Sequence, residues 1–180
     1  MEVIIMPTAE KAEQLAAAII ADALRQKPNL TLGLATGATM ENLYHKLADM
    51  NKKGELDFSL CKTFNLDEYV GLAAEDRNSY RYYMNFHLFD RINIDKRNTH
   101  LEDGMAEDLE IECAEYERLM EEAGGVDLQL EAAHQGAGRL RLCAPGAHGA
   151  QQPALAGDFL LNGRFPAPQL VQHGGRVALA

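Results

Sequence analysis

The sequence predicts an α/β fold in which a parallel sheet carries helices on both faces. Three observations lead to this prediction. Short apolar runs alternate along the chain with amphipathic helical segments, which is typical of parallel sheets. Two of these runs end directly in a small-residue turn or in acidic residues, at the sheet edge where such folds bind ligands. The pattern stops near residue 130, so we expect the domain to be truncated after about that point.

The elements follow from these patterns in chain order. Glu2–Met6 favours a short strand, and Pro7-Thr8 starts a helix that runs to about Gln26, with Thr8 as its N-cap. Further strands are predicted at Leu30–Ala35, Cys61–Leu66, Asn98–Leu101 and Val126–Leu130, and further helices at Met40–Met50, Tyr80–Phe89 (capped by Asn78-Ser79) and Asp108–Ala123. No element is predicted after residue 131.

Length and composition limit the classes of function. A chain of 180 residues with 47% hydrophobic residues can form one domain with a core. The net charge of −10 argues against nucleic acid and anionic membranes as partners, although a local site could still take a phosphorylated small molecule. No apolar run approaches the ~20 residues that span a membrane. Three cysteines, far apart in sequence, argue against a disulfide scaffold, so we expect a cytoplasmic protein.

The composition changes after Leu130. Residues 131–180 contain no Lys, Ile, Met, Ser, Thr or Tyr, but 11 Ala, 8 Gly, 5 Gln and 4 Pro. Their net charge is +2, against −12 for residues 1–130. One interpretation is a disordered Ala/Gly/Pro-rich tail. The interpretation we favour is that this segment does not continue the domain naturally and is a frameshifted translation, a fusion scar or a replaced terminus.

The first candidate site is the turn Thr36-Gly37-Ala38-Thr39, between a predicted strand and a predicted helix. Backbone N–H groups at a helix N-terminus lack partners, and the helix dipole favours an anion there. Gly37 would let the backbone approach the ligand, and the two threonines add hydroxyl donors. Without further support, an ordinary turn that binds nothing explains the pattern equally well.

The second candidate site is the carboxylate pair Asp67-Glu68, directly after the strand Cys61–Leu66. A carboxylate held next to a substrate carbon can act as a base in proton abstraction. The alternative is that the pair caps the next turn or faces water. The histidines His45, His87 and His100 show no ligand spacing, so we predict no metal site. The aromatic cluster Tyr80-Arg81-Tyr82-Tyr83 is expected to pack.

Taken together, these segments resemble the glucosamine-6-phosphate deaminase (glucosamine-6-phosphate isomerase) family over residues 1–130. The resemblance rests on Leu32-Gly33-Leu34-Ala35-Thr36-Gly37-Ala38-Thr39 and on Thr63-Phe64-Asn65-Leu66-Asp67-Glu68-Tyr69-Val70-Gly71-Leu72. Asn78-Ser79-Tyr80 follows at the expected distance. The second motif is the more specific of the two.

The resemblance implies a Rossmann-like fold and the conversion of glucosamine 6-phosphate and water to fructose 6-phosphate and ammonia, with no cofactor. It implies that Thr36, Gly37, Ala38 and Thr39 bind the substrate phosphate. Asp67 would be the catalytic base that removes the C2 proton, leading through an enolamine, with Glu68 and Tyr80 in supporting roles. The expected partner is a small-molecule sugar phosphate, and a homo-oligomer stays open for the full-length family.

The chain departs from the family after the strand that ends at Leu130. There the family continues with a glycine-rich turn, an Asn/Asp-Gly-His-Ile segment and Phe-Asn-Glu-Pro, which supply the groups that open the sugar ring. This chain instead has Glu131-Ala132-Ala133-His134-Gln135-Gly136. We therefore expect the chain to be inactive or impaired. Two alternatives stay open: a 6-phosphogluconolactonase-like enzyme, or a non-catalytic phosphosugar-binding fragment.

Overall fold

The computed structural model describes residues 6–132 and, as strands, residues 159–163, 170–173 and 176–179. Most of the strand predicted at Glu2–Met6 therefore lies outside the described residues. The helices are α1 (Ala9–Gln26), α2 (Ala38–Lys52), α3 (Tyr80–Met84) and α4 (Leu109–Glu122), with a π-helix at Asn85–Phe89 and a 3₁₀ turn at Lys96–Asn98. The strands are β1 (Thr31–Leu34), β2 (Lys62–Asn65), β3 (Thr99–His100), β4 (Leu128–Ala132), β5 (Phe159–Gly163), β6 (Leu170–His173) and β7 (Arg176–Leu179).

The strands form one sheet in the order β3-β2-β1-β4-β5-β6-β7. The first four strands of this order pair in parallel. The parallel α/β fold predicted from the sequence is therefore confirmed. From β4 onward the pairing is antiparallel. No strand was predicted after residue 131, and these three lie in the compositionally different segment, whose origin stays a prediction.

Helices cover both faces of the parallel part of the sheet. Leu32 and Leu34 of β1 are buried in the main apolar cluster together with residues of α1, α2 and α3. Because side chains alternate along a strand, Gly33 and its β2 neighbour Phe64 point to the opposite face. On that face the ring of Tyr116 from α4 meets the ring of Phe64 edge-on, with 5.7 Å between ring centroids.

The helix starts follow from local sequence. Thr8 caps α1 by accepting a hydrogen bond from the backbone N–H of Lys11, and Asp108 caps α4 by accepting from Glu110 and Ile111. Ser79 caps α3 by accepting from the N–H of Tyr82. Each of these three helix starts was predicted within one or two residues.

Asp127 ties the end of α1 to the two central strands. Its carboxylate accepts hydrogen bonds from the Lys27 ammonium group (2.5 Å) and from the backbone N–H of Thr31 (2.9 Å). Its own N–H donates to the carbonyl of Thr31. These bonds fix where β1 and β4 begin, and so determine where both strands end.

The structure differs from the sequence-based elements at two places. The helix predicted over Tyr80–Phe89 changes after Met84 into the π-helix, and the strand predicted at Asn98–Leu101 has only two residues. Within the described part of the chain no helix is long and apolar enough to cross a membrane. Within the described residues Cys61 and Cys113 form no disulfide bond.

Candidate functional site

The ends of β1 and β2 bring both predicted sites to one edge of the sheet. Leu34, the last residue of β1, pairs in parallel with Asn65, the last residue of β2. The turn Thr36–Thr39 and the pair Asp67-Glu68 therefore leave neighbouring strands on the same side. In open α/β sheets this carboxyl edge is where ligands bind.

The turn after β1 presents the N-terminus of α2 to this edge. Gly37 is the N-cap residue, with a φ of 125° and a ψ of 160°, and no side chain caps the helix there. This backbone conformation is open to glycine and strained for other residues. Thr36 is buried, Thr39 is half-buried and Ala38 is exposed. At the start of α2 the N–H of Met40 donates to the Gly37 carbonyl at 2.9 Å, whereas the N–H groups of Ala38 and Thr39 precede the first i→i−4 bond of the helix.

Two tyrosines hold this turn through its carbonyl oxygens. The phenol of Tyr83 donates to the Gly37 carbonyl at 2.7 Å, and the phenol of Tyr44 donates to the Ala35 carbonyl. Burial raises the pKa of both phenols, so both stay protonated and act as donors at neutral pH. Because the tyrosines bind carbonyl oxygens, the N–H groups of the turn stay available to an anion.

The carboxylate of Glu68 accepts hydrogen bonds from backbone N–H groups of nearby residues. Its side chain is buried, with one carboxylate oxygen accepting from the N–H groups of Tyr69 and Tyr80, and the other accepting from the N–H of Arg81, all at 2.8 Å. Glu68 therefore joins the loop after β2 to the start of α3. Of the two carboxylates, this one matches the capping alternative raised from the sequence.

Tyr80 packs against the same loop that Glu68 joins to α3. Its ring lies 4.8 Å from the ring of Tyr69, measured between centroids, and the two phenol oxygens are 3.2 Å apart. The aromatic packing expected for this cluster is thus present around Tyr80, whereas Tyr83 makes the polar contact with the turn. The supporting roles of Glu68 and Tyr80 agree with these contacts and stay predictions for catalysis.

Asp67 lies two residues beyond the end of β2, directly before Glu68. Its side chain is half-buried, unlike the fully buried Glu68. Its charge also acts on the carboxyl of Glu102. The pKa of Glu102 is raised to about 7, first by burial and then by the neighbouring charges of Asp67, Glu68 and Glu112. Asp67 thus stands at the carboxyl edge next to a second, little-solvated acid.

Two histidines that are far apart in sequence meet behind the turn. The ring centroids of His45 and His87 are 5.6 Å apart, and His87 lies 4.3 Å from the ring of Tyr83. His100 instead stacks on Phe64. Burial lowers the pKa of His87, which favours its neutral form. The described residues contain no group of three side chains placed to hold a metal ion.

Sequence reasoning missed three contributors to the site. The bond from Tyr83 to Gly37 spans 46 residues, the role of Tyr44 depends on how α2 folds back on β1, and the burial of Glu102 depends on neighbouring loops. None of these has a local sequence signal. Only the helical spacing of Tyr80 and Tyr83, which puts both rings on one face, could have indicated that Tyr83 points inward.

Comparisons with known proteins agree with this geometry. The family model of glucosamine-6-phosphate isomerases/6-phosphogluconolactonase matches residues 7–138. A glucosamine-6-phosphate deaminase of Shouchella clausii (strain KSM-K16) is 52% identical over 130 residues, which are 72% of this chain and 53% of that protein. One from Thermoanaerobacter sp. (strain X514) is 49% identical over 130 residues, 72% of this chain and 51% of its own length.

Solved structures show the same relationship. A monomeric glucosamine-6-phosphate deaminase matches with a TM-score of 0.68 and 42% identity, over 71% of this chain and 53% of that one. The 6-phosphogluconolactonase of Thermotoga maritima matches with a TM-score of 0.61 and 19% identity, over 76% of this chain and 73% of that one, a likeness of fold alone. The chain spans about half the length of the curated relatives that it matches.

Proposed function

We propose that this chain, which belongs to the family of glucosamine-6-phosphate isomerases and 6-phosphogluconolactonases, carries the phosphosugar-binding turn and the base of a glucosamine-6-phosphate deaminase. The reaction converts glucosamine 6-phosphate and water to fructose 6-phosphate and ammonia. The single observation that carries the proposal is the pairing of Leu34 with Asn65, because it sets the turn and Asp67 side by side. Relatives named as deaminases at about half identity favour this substrate.

The turn Thr36–Thr39 would bind the phosphate group of the substrate. The N–H groups at the start of α2 point along the helix axis toward an anion, and the helix dipole adds to the attraction. The left-handed backbone of Gly37 lets the phosphate approach without a side chain in the way. The hydroxyl groups of Thr36 and Thr39 are placed on the same segment as further donors.

Asp67 would take the C2 proton of the open-chain sugar. That proton lies α to the C1 carbonyl, so its removal gives an enolamine and leaves the proton on the carboxylate. Glu68 cannot serve equally well, because three backbone N–H groups already occupy its oxygens. Glu68 and Tyr80 would instead hold the loop that presents Asp67.

The chain alone should be a poor catalyst or none. The ring-opening segment expected from the family is absent from residues 131–136, and each missing acid–base group typically contributes 10²–10⁴-fold to the rate. We propose that what this chain keeps is binding of a sugar phosphate. Cytoplasmic location, and the absence of nucleic acid and membrane partners, remain part of the proposal.

Calorimetric titration with glucosamine 6-phosphate, 6-phosphogluconate and unphosphorylated glucosamine tests the proposal. Glucosamine 6-phosphate should bind, glucosamine should not, and Asp67→Asn should bind the ligand but lose any trace of ammonia release. Asp103→Asn, an exposed carboxylate away from the turn, is the matched control. Equal binding of glucosamine would overturn the phosphate assignment. Robust ammonia release by the 180-residue chain would overturn the expected loss of activity.

A further inference from the structure

A cavity of about 260 Å³ lies below the loop that carries Asp67. It is lined by this loop, by Arg81 of α3 and by residues 101–104, which follow β3, and it opens to solvent. The two loops are in backbone contact, since the N–H of Gly71 donates to the carbonyl of Gly104 at 2.7 Å. A Cβ at Gly104 would lie 2.2 Å from the Tyr69 carbonyl oxygen, so only glycine allows this approach.

Glu102 lines the cavity with an unsatisfied carboxylate. The residue is 4% exposed, and among the described residues its carboxylate oxygens meet only the N–H of Glu102 itself, with no donor from any other residue in hydrogen-bonding geometry. A buried carboxylate without partners is costly, and native proteins normally provide a donor or a counter-charge. Neither the proposed phosphate binding nor the proposed proton transfer uses this group.

The other charges at the cavity do not neutralise Glu102. Arg81 lines the cavity as well, but its guanidinium donates to the hydroxyl and carbonyl oxygens of Thr99, and its charge is balanced by the adjacent Glu68. Asp103 is exposed to water at the rim. The negative charge that Glu102 carries when it is ionised is therefore not compensated by these groups.

We propose that this cavity binds one small monovalent cation, of the ammonium or potassium class, with the Glu102 carboxylate as its counter-charge. A single free carboxylate suits one positive charge. The lining includes the apolar Leu72 and Leu101, and the volume has room for several water molecules, so the ion would keep part of its hydration shell. A divalent ion is a poor match, because Glu68 is already occupied by N–H groups and no described group of three side chains suits a metal.

The electrostatics of the cavity support this assignment. Burial and the negative charges of Asp67, Glu68 and Glu112 raise the pKa of Glu102 to about 7. A cation beside the carboxylate would oppose each of these effects and favour the ionised form. Cation binding should therefore be strong at pH 8, where Glu102 is mostly ionised, and weak at pH 5, where it is protonated.

Thermal unfolding of the 180-residue chain tests the inference, which does not depend on the proposed function. The melting temperature is measured at pH 8 in ammonium, potassium or choline chloride at one ionic strength. We expect ammonium, potassium or both to raise it by about 2–4 °C relative to choline, at a concentration about five times the dissociation constant. The two small ions distinguish the sources, and the methyl groups of choline keep its charge away from the carboxylate and leave it without an N–H donor.

Two controls make the outcome decisive. Glu102→Gln should lose the shift, while Glu110→Gln, an exposed carboxylate of α4 that does not line the cavity, should keep it. In the unmutated chain the shift should disappear at pH 5, so the inference can be tested even if Glu102→Gln fails to fold. The same melting temperature in all three salts, a shift retained by Glu102→Gln, or an undiminished shift at pH 5 would each overturn the cation site.

Discussion

The loops that leave strands β1 and β2 use their polar groups in opposite ways. In the turn after β1, tyrosine hydroxyl groups bind the carbonyl oxygens of Ala35 and Gly37, and no side chain caps the start of α2 at Gly37. In the loop after β2, the Glu68 carboxylate binds N–H groups of the loop itself and of α3. We propose that the first loop accepts an anion, whereas in the second loop the Glu68 carboxylate already takes up the N–H groups.

This difference explains how two adjacent carboxylates can have separate roles. Glu68 holds the loop in place and so leaves Asp67 as the carboxylate at the sheet edge. In the proposed function Asp67 acts as the base on a sugar whose phosphate group is bound by the turn after the neighbouring strand. The predictions below test this division, from the largest expected effect to the smallest.

Glu68→Ala should destabilise the chain most. Three backbone N–H groups lose a charged acceptor in a buried setting, which should lower the free energy of unfolding by about 3–5 kcal/mol. Urea unfolding measures this change. The matched control is Glu112→Ala, which removes a carboxylate that accepts one exposed N–H from Asp103 and should cost less than about 1 kcal/mol. Equal losses in the two variants would show that Glu68 does not hold the loop.

The free energy of unfolding should depend on pH because of Glu102. The pKa of Glu102 is raised to about 7, so the folded state holds its proton more tightly than the unfolded state does. Its contribution is therefore fully present below the unfolded pKa of about 4.5, and is lost as pH rises toward 7. The loss should reach about 3 kcal/mol at most.

Urea unfolding between pH 4 and pH 8 in choline chloride measures this slope. Glu102→Gln should flatten it, while Glu110→Gln, an exposed carboxylate that is not among the charges acting on Glu102, should not. A slope unchanged by Glu102→Gln would contradict the assignment of an unsatisfied acid to this position.

Gly37→Ala should affect both stability and ligand binding. The φ of 125° is strained for alanine, and the cost should be about 1–3 kcal/mol. Gly54 also has a positive φ, of 74°, with open space around it and no place in the site, so Gly54→Ala is the matched control. Both variants should unfold more easily, but only Gly37→Ala should weaken binding of glucosamine 6-phosphate in calorimetry. Unchanged binding by Gly37→Ala would argue against the phosphate turn.

Tyr83→Phe should have the smallest effect. It removes one hydrogen bond to the Gly37 carbonyl and leaves the ring packed, which should cost about 0.5–1.5 kcal/mol. Binding of the phosphosugar should weaken as the turn loosens. Tyr82→Phe changes a neighbouring phenol whose ring stacks on Phe86, and it should leave both quantities within error. Equal behaviour of the two variants would exclude a specific role for Tyr83.

Local patterns were sufficient to predict most of the fold between residues 6 and 132. Caps such as Thr8 and Asp108 mark helix starts, and short apolar runs such as Cys61–Leu66 mark buried strands. The change to a π-helix at Asn85 was not predictable, because the wider hydrogen-bonding pattern depends on tertiary contacts. The antiparallel strands β5–β7 follow a segment for which no element was predicted.

The sequence predicted which residues lie at the candidate site, but it did not predict the contacts that hold them. The positions of Thr36–Thr39 and Asp67 followed from strand ends and from the family resemblance. The roles of Tyr83 and Glu102 did not, since the first contacts a residue 46 positions away and the second is buried only because Gly71 and Gly104 bring two loops together. A carboxylate after a short strand would otherwise be expected to face water.

The central claim is that the N–H groups after β1 are available to a phosphate group while those around Glu68 are not. Amide chemical shifts, recorded while glucosamine 6-phosphate is added to the ¹⁵N-labelled chain, test this most directly. We predict large, saturable shifts for the amides of Gly37, Ala38 and Thr39, and small ones for Tyr80 and Arg81, with glucosamine producing neither. Shifts centred on Tyr80 and Arg81, or none at the turn at saturating ligand, would contradict the account.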